Sequence, residues 1–444
     1  MPAVRESIST LPTKRLFIEM LVKDVDLTDA IIDLVDNSID GAKRMRPDEN
    51  FDKLKIDIKL SGTRFLVKDN CGGIPLEIGK KYAFRFGRPK EVGPTPHSIG
   101  RFGIGMKRAL FKLGKNFKVK TTSEVTKYAI TVDVPEWSKD DDPKTWNFET
   151  DEAVQPRLAT SPYRESELGT SIEVTNLYPE IAKKLGQAAY IEDFRTRLRD
   201  AQNSFLNKGL TIVVNDIALI AEEIFLLQDV GLKSSFKKEK IKPEGSQATV
   251  NVRFYVGLQT SSPSDQAGWY VYCNGRMILR ADRSEITGWG ETSAKIPRYH
   301  NQYARFRGYV FFDCNDAEQL PWNTTKTGVD LESPTYAKAR RIMVELMEPI
   351  VRFIDAADKE RDTSDNTYNT VLTQARPVSL ATIRTEQTFT PPVRSTSVAQ
   401  VKLSRISFQK PTPEFEKVKR KLGATTAEEV GIMLFDYYKK FELQ

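Results

Sequence analysis

The stretch DLVDNSID, Asp33–Asp40, places three aspartates and one asparagine within eight residues. Around it Ile32, Val35 and Ile39 recur at helical spacing, which predicts a helix over 26–46 with one apolar face in a core. Aspartate and asparagine are poor helix formers, and like charges four residues apart repel by roughly 0.2–0.5 kcal/mol. Residues that break such a rule beside an apolar stripe are typical of a functional site.

Carboxylate and amide oxygens on one helix face suit a hard cation such as Mg²⁺ and the activation of a water molecule. The stretch itself contains no basic residue. A bound magnesium ion would supply the missing positive charge. The helix alone leaves a second interpretation open, an acidic face in contact with solvent.

The composition limits the class of protein. The chain has 444 residues, of which 29% are charged and 39% hydrophobic, and no apolar run is long enough to cross a bilayer. We therefore expect a cytoplasmic protein of two or three domains with no membrane association. Three cysteines without a CxxC pair argue against a zinc or disulfide framework. The net charge of +7 permits a polyanionic partner such as DNA without requiring one.

Alternating helix and strand patterns divide the chain into four zones. Residues 1–185 and 186–360 each mix helices with strands, and the second zone ends in a long helical pattern. Residues 361–413 are rich in Thr, Ser, Gln and Pro, which predicts a disordered linker. Residues 414–444 contain two helical patterns, the second with a capping residue at Thr426.

Two short stretches beyond the acidic helix favour a flat ligand. VKDNCGGIP (67–75) runs from a strand pattern into Asp69 and a glycine pair. A carboxylate there can accept a hydrogen bond from a heterocycle laid against the glycines. ELGTSIEVTNL (167–177) sets Gly169 and Thr170 at the start of another strand pattern.

A glycine-rich stretch between them favours phosphate. SIGRFGIGMKRALFKLG (98–114) places three glycines before a helix that carries Lys107 and Arg108 near its start. Free backbone N–H groups and the positive end of a helix dipole attract anions. The stretch is neither the Walker pattern nor the dinucleotide fingerprint.

In order, spacing and content, these four stretches resemble the ATP-binding domain of the GHKL superfamily, which includes DNA gyrase, the ninety-kilodalton heat-shock chaperones, histidine kinases and MutL. The resemblance covers residues 25–177. It implies an α+β fold in which a GHKL, or Bergerat, α/β sandwich holds ATP and Mg²⁺ beneath a lid over 84–98. The roles that it implies are Mg²⁺ binding by Asn37, a hydrogen bond from the adenine amino group to Asp69, support of the base by Gly73 and Thr170, and phosphate binding by Gly100, Gly103 and Gly105 with Met106 and Lys107.

The sequence departs from the family pattern at two positions. Asp33 stands where the hydrolysing members usually carry Glu. As general base or water positioner its carboxylate lies one methylene further back, so we expect slow hydrolysis. Cys71 stands where the first glycine of the D-x-G-x-G box is usual, and packing is the expected role of that side chain.

The second zone resembles the transducer domain of MutL-like and microrchidia-like ATPases. GWYVYCNGRMILR (268–280) is similar to a strand of that domain that ends in N-G-R. LPWNTTKTGVDLESP (320–334) is similar to the loop that presents a lysine to the γ-phosphate, here Lys326. The resemblance implies a ribosomal-protein-like α/β transducer domain and a catalytic role for Lys326; an exposed loop lysine is the alternative.

The resemblance implies Mg²⁺-dependent ATP hydrolysis and an ATP-dependent homodimer that closes as a clamp, in association with DNA. The alternative is a chaperone-like or signalling switch with little hydrolysis that acts on a protein partner. Residues 414–444 would then dock the partner, because apolar residues between Val430 and Tyr438 form a stripe there.

Overall fold

The computed structural model describes residues 12–23, 25–87, 96–100, 103–260, 263–360, 366–392, 406–407 and 409–443. Its α-helices are α1 (Lys14–Lys23), α2 (Leu27–Met45), α3 (Leu76–Ile78), α4 (Gly105–Leu113), α5 (Val134–Trp137), α6 (Pro179–Leu185), α7 (Ala188–Leu206), α8 (Pro334–Glu360), α9 (Thr367–Gln374), α10 (Thr412–Leu422) and α11 (Ala427–Glu442). Its strands are β1 (Lys55–Leu60), β2 (Arg64–Asp69), β3 (Gly114–Thr122), β4 (Thr126–Asp133), β5 (Gln155–Pro156), β6 (Gly169–Leu177), β7 (Thr211–Val214), β8 (Ile217–Ala218), β9 (Phe225–Gln228), β10 (Ser235–Ile241), β11 (Val250–Leu258), β12 (Gly268–Cys273), β13 (Arg276–Asp282), β14 (Phe306–Asp313) and β15 (Arg376–Ser379). The mixed α+β fold that we expected is confirmed.

The chain forms two compact units. The first falls within Met1–Ala357 and Thr367–Arg394, and the second within Asp358–Asn366 and Ser395–Gln444. The second unit contains α10 and α11, and Thr426 caps α11 with a hydrogen bond to the backbone N–H three residues on, as the sequence predicted. Among the described residues, none of the helices combines the length and apolarity needed to cross a membrane.

An eight-stranded sheet forms the first layer of the larger unit, in the order β5-β4-β3-β6-β2-β1-β7-β8. Its neighbours are antiparallel except for β1 and β7, which are parallel. The sheet continues past the boundary that we predicted at residue 185, because the short strands β7 and β8 join its edge beside β1. Helix α7 makes this return possible, since a parallel neighbour requires a crossover connection.

A five-stranded sheet follows, in the order β10-β11-β14-β12-β13. The N-G-R sequence does not end a strand as we predicted. Asn274 and Gly275 form the turn of the β12–β13 hairpin, with φ of 47° and 87°. Two consecutive residues at positive φ are typical of the tight hairpin turns that Asn-Gly favours. Arg276 is therefore the first residue of β13.

The prediction of a disordered linker over 361–413 is wrong for residues 367–392. They contain α9 and β15, and β15 pairs with β9 to make a two-stranded sheet. Leu380 and Ile383 are buried against tyrosines of the five-stranded sheet. A few apolar anchors in a polar segment are enough to fix it in place, because each contributes roughly 1.5–3 kcal/mol when buried.

Candidate functional site

Helix α2 carries the acidic stretch into the interior of the protein. The Asp26 carboxylate accepts a hydrogen bond from Thr28 N–H at 2.9 Å, which satisfies an amide group at the start of the helix. Val35 and Ile39 are fully buried, as the apolar spacing predicted. The three aspartates of DLVDNSID are only 1–8% exposed. The interpretation of the stretch as a solvent-exposed acidic face is therefore wrong.

Asp33 is bonded to two cations. An Arg108 Nη2 group donates to one carboxylate oxygen at 2.8 Å, and the Lys326 ammonium donates to the other at 3.0 Å. All three side chains are buried. A charge this far from water requires such partners, because its desolvation otherwise costs several kcal/mol.

Asp36 shares Lys326 with Asp33, with a distance of 2.8 Å from the Lys326 Nζ to its Oδ2. Its Oδ1 accepts hydrogen bonds from Arg276 at 3.1 Å and from Gln202 at 2.8 Å. Burial alone would raise the pKa of Asp36, but Arg276 and Lys326 hold that pKa below its usual value. Burial would lower the pKa of Lys326, and the two carboxylates raise it instead. Asp36 and Lys326 are therefore both charged at neutral pH.

The partners of these carboxylates come from distant parts of the chain. Arg108 lies in α4 and Gln202 in α7, while Arg276 opens β13 and Lys326 lies in the loop between β14 and α8. The protein thus supplies the positive charge that the stretch itself lacks, where we had expected magnesium to supply it. The N-G-R motif was the sequence signal for Arg276, but nothing in its spacing indicated Asp36 as its partner.

Asp40 binds the glycine-rich loop. Its two oxygens accept hydrogen bonds from the Ile99 and Gly100 N–H groups, each at 2.8 Å. These amides belong to the segment that we predicted to bind phosphate. The loop therefore presents backbone donors to an anion, and in this structure the anion is a carboxylate of the chain.

The loop and the acidic helix border a cavity of about 120 Å³. Pockets that hold small molecules measure roughly 300–1,000 Å³, so a nucleotide can enter only if part of the lining moves. Residues 88–95 of the expected lid, and residues 101–102 of the loop, lie outside the described residues. The expected site residues that line the cavity are Asp33, Asn37, Gly100, Gly103, Gly105, Met106, Lys107 and Lys326.

A larger cavity of about 1250 Å³ adjoins the first and shares Asp40, Arg44 and Ser98 with it. Its lining is rich in charges that already pair with one another, such as Lys208 with Glu49. We assign the site to the smaller cavity because the expected phosphate-binding residues converge there.

Gly105 allows the close approach of α4 to α2. A Cβ atom at this position would lie 2.9 Å from the Asp33 Oδ2. Only glycine leaves room for the carboxylate beside the first turn of α4.

Lys107 is buried without a carboxylate partner among its hydrogen bonds. Its ammonium donates to the Ala83 carbonyl oxygen at 2.9 Å and to the Gly103 carbonyl oxygen. Burial lowers the pKa of Lys107 to about 7. A phosphate oxygen at this cavity would favour its charged form.

Asp69, at the end of β2, is held by neutral donors. Its oxygens accept hydrogen bonds from the Ser38 hydroxyl at 2.6 Å, from Cys71 N–H at 2.9 Å and from Thr170 N–H at 3.1 Å. Burial raises the pKa of Asp69. The structure thus brings Asp69 and Thr170 together beside α2.

Gly73 lies against the backbone of β3. Its φ is +67°, and a Cβ atom would lie 2.1 Å from the Thr122 carbonyl oxygen, so a larger residue cannot fit. Asp69, Gly73 and Thr170 do not line the 120 Å³ cavity. They lie beside it. Asp69 is connected to the cavity through Ser38, the chain neighbour of Asn37, and Gly73 is connected to it through its own neighbour Ile74. Asn37 and Ile74 both line the cavity.

The surroundings of Asn37 show whether the site fits a nucleotide bound with Mg²⁺. Its amide nitrogen is buried and has no hydrogen-bond partner in the part of the chain that the structure describes, although it lines the same cavity as Lys107 and the glycine-rich loop. Among the described residues, no three or more His, Cys, Asp or Glu side chains form a group that could hold a metal ion. Mg²⁺ commonly takes one or two protein ligands and completes its shell with substrate phosphates and water. The residues present fit that arrangement.

Residues 25–170 match the family model described as histidine kinase-, DNA gyrase B-, and HSP90-like ATPase. None of the curated proteins compared with the chain matches it. The matched range includes the acidic helix, Asp69 and the glycine-rich loop, whose geometry is given above. This part of the chain is a domain of the GHKL superfamily, and the ATP binding that we expected follows from that membership.

Proposed function

We propose that this protein is a Mg²⁺-dependent ATPase with slow turnover, acting in the cytoplasm as a homodimeric clamp that ATP closes and that associates with DNA. The observation that carries the proposal is the convergence of Asn37, the glycine-rich loop and three basic side chains on one cavity within a GHKL domain. These basic side chains are Lys107, Arg108 and Lys326.

Asp69 would hold the adenine. It is an acceptor fixed by three neutral donors, and one more donor, the adenine amino group, completes the set that a carboxylate can accept. Gly73 would lie against the base, which is the role that the family resemblance implies for it. Thr170 would support the arrangement through its N–H bond to Asp69.

Asn37 would hold Mg²⁺ with its side-chain oxygen. When bound, the ion would neutralise part of the charge of the phosphates. The amides of the loop and the Lys107 ammonium would bind phosphate oxygens directly. Gly100, Gly103, Gly105 and Met106 would form the wall of this part of the site.

Asp33 would orient the attacking water, and Lys326 would stabilise the charge that builds on the γ-phosphate. Asp33 is tied to Arg108 and Lys326 in this structure. It can position water only after those cations turn to the phosphate. The short aspartate side chain is the reason to expect a low rate.

Phosphate release from ATP in the presence of Mg²⁺ tests the proposal, with Asn37→Ala as the control for contaminating activity. None of the described residues is a hydrogen-bond partner of the Asn37 amide nitrogen, so the variant should fold as the wild type does. We expect slow release by the wild type and none by the variant. A variant that binds and hydrolyses ATP normally would refute the assignment of Asn37.

Dimerisation and DNA association need separate measurements. A non-hydrolysable ATP analogue with Mg²⁺ should double the mass in solution, and an unchanged monomer mass would contradict the clamp. Duplex DNA should raise the rate of phosphate release, in a manner that salt weakens. The second sheet would act as the transducer that links these events to the nucleotide.

An exposed helix favours a second candidate, a switch that binds a protein partner. Apolar side chains of α11 that are 40–61% exposed include Met433, Leu434, Phe435, Tyr437 and Tyr438. Large apolar groups concentrated on one exposed helix are typical of a docking surface. Removal of residues 412–444 should then abolish binding of the partner and leave ATP hydrolysis unchanged; indifference of hydrolysis to DNA would also favour this candidate.

A further inference from the structure

We propose that Arg108 binds the terminal phosphate of ATP, and that Asp33 occupies this arginine until the phosphate arrives. The inference rests on the proposed function, because it assigns a role within the same site. It makes Arg108 the residue that distinguishes ATP from ADP.

The charges around the cavity favour an anionic occupant. Among the described residues, four basic side chains line it, Arg44, Lys107, Arg108 and Lys326, against two acidic ones, Asp33 and Asp40. Lys107, Arg108 and Lys326 are buried, and charges interact more strongly there than in water. A polyphosphate would balance it.

The Arg108 guanidinium has an N–H group that is available to a ligand. Its Nη2 binds Asp33, but its Nε is buried and has no hydrogen-bond partner among the described residues. A guanidinium presents its donors as a planar fork that matches the oxygens of a phosphate. A purely structural ion pair between α2 and α4 would have no need to line a cavity or to leave a buried N–H unsatisfied, which is unfavourable.

The same substitution of carboxylate for phosphate occurs twice. Asp40 occupies the Ile99 and Gly100 amides, and Asp33 occupies Arg108 and Lys326. In both places a carboxylate of α2 satisfies donors that the proposed function assigns to phosphate oxygens. The acidic stretch therefore stands in for the nucleotide while the site is in this state.

Replacement of the Asp33 carboxylate by the terminal phosphate as the partner of Arg108 would also affect hydrolysis. When the terminal phosphate takes Arg108 and Lys326, the Asp33 carboxylate is released and can orient water. ADP lacks this phosphate and leaves the pair intact. The water-positioning group thus becomes available only when there is a phosphate to cleave.

Equilibrium binding of a non-hydrolysable ATP analogue and of ADP, each with Mg²⁺, tests the inference on the full chain. Arg108→Gln should weaken binding of the analogue about 10- to 100-fold, as expected for a charge-assisted hydrogen bond, and leave ADP binding within about twofold. Asp33→Asn should tighten binding of the analogue, because the internal competitor loses its charge, and should leave ADP binding unchanged. Arg197→Gln is the matched control, since Arg197 pairs with Asp26 and Asp29 at the start of α2, and these three residues do not line the cavity; neither affinity should change.

Each of these results either supports or overturns the inference about Arg108. Equal weakening of both nucleotides by Arg108→Gln, or no weakening, overturns the inference, and so does a loss of analogue affinity in Asp33→Asn. If Arg108→Gln does not fold, as its thermal melt would show, Asp33→Asn alone decides, because it keeps the size of the side chain. Failure of the proposed function is distinct, since the wild type would then bind neither nucleotide.

Discussion

The two ends of the candidate site hold their carboxylates in different ways. At the end proposed to bind adenine, called the adenine end below, Asp69 accepts three hydrogen bonds from neutral donors, two of them backbone amides. At the end proposed to bind the phosphates, called the phosphate end, Asp33 and Asp36 are bonded to three cations from separate elements of the chain. One end is a fixed set of dipoles, and the other is a network of charges.

This difference determines what each end can do. Backbone amides have no alternative position, so the contacts of Asp69 persist whatever the nucleotide carries. Ion pairs can exchange one anion for another at little net cost, because the cation keeps a partner throughout. The adenine end should therefore set the affinity for every adenine nucleotide, and the phosphate end should set which of them is preferred.

The largest effect should come from breaking the charge network at Asp36. Asp36→Ala leaves Arg276 buried without its carboxylate and removes the acceptor of Gln202. The loss of one partner from a buried ion pair costs about 3–5 kcal/mol, so the free energy of unfolding should fall by that amount. Denaturant titration measures it.

Asp29→Ala provides the control on the same helix. Asp29 pairs with Arg197 at 3.0 Å; the Arg197 side chain is 42% exposed and that of Asp29 is 14% exposed, so we expect the pair to contribute about 1 kcal/mol or less. Equal losses in the two variants would show that the network at Asp36 adds no stability of its own, and the contrast between the two ends of the site would disappear.

The elements that the sequence predicted well are those with local signals. Helix α2 follows its apolar periodicity and begins and ends within a residue of the predicted limits. The cap at Thr426 follows from the residue itself and the glutamate three positions on. Short-range patterns of this kind need no knowledge of the rest of the fold.

A second large effect should follow from Asp69→Asn. The NH₂ group of the asparagine would face one of the three donors that now bind Asp69. The neutral amide oxygen would also be a weaker acceptor than the carboxylate for the adenine amino group. We expect affinities for the ATP analogue and for ADP to fall by the same factor, about 10- to 100-fold, as for the loss of a hydrogen bond of about 1.5–3 kcal/mol to a charged group. Isothermal titration with both ligands measures the two factors.

Asp216→Asn is the matched control for that change, because its side chain is 86% exposed and pairs with Lys59 at the surface. A fall in analogue affinity with ADP affinity retained would move Asp69 from the adenine to the phosphates, and the division of the site into two ends would be wrong.

The long-range contacts of the site could not be predicted in the same way. Arg276 and Gln202 reach Asp36 from 240 and 166 residues away. Their positions depend on the hairpin turn at Asn274 and on the packing of α7, neither of which determines a partner until the fold exists. For the same reason the segment at 367–392 was mistaken for a linker, since its few apolar residues acquire meaning only against the tyrosines that they cover.

A smaller effect, on pH dependence, should come from Lys107. Burial lowers its pKa in the folded protein from 10.5 to about 7, so above pH 7 the empty site holds a neutral amine. Phosphate favours the ammonium, and binding must then take up a proton. Affinity for the ATP analogue should fall as pH rises above 7, by up to about tenfold per unit, and Lys107→Met should remove this dependence.

The stability of the protein should change with pH in the opposite direction. Between the folded pKa of Lys107, about 7, and the unfolded value of 10.5, the unfolded chain binds more protons. This lysine therefore makes the free energy of unfolding rise with pH across that window, and the increment is lost below it. If the wild-type affinity for the ATP analogue stays constant from pH 7 to 9, the assignment of Lys107 to the phosphates is wrong.

The smallest effect should come from Ser38→Ala, which removes one neutral donor from Asp69. The two backbone amides remain, so the free energy of unfolding should fall by only about 0.5–1.5 kcal/mol. Affinities for the analogue and for ADP should change together and by less than about threefold. Ser38 precedes Ile39 in the core and follows Asn37 in the cavity, so it is where α2 joins the two ends. A change in the ratio of the two affinities would show that the adenine end and the phosphate end act as one unit through this helix. The two ends would then differ in how their carboxylates are bonded but not in what they do for binding.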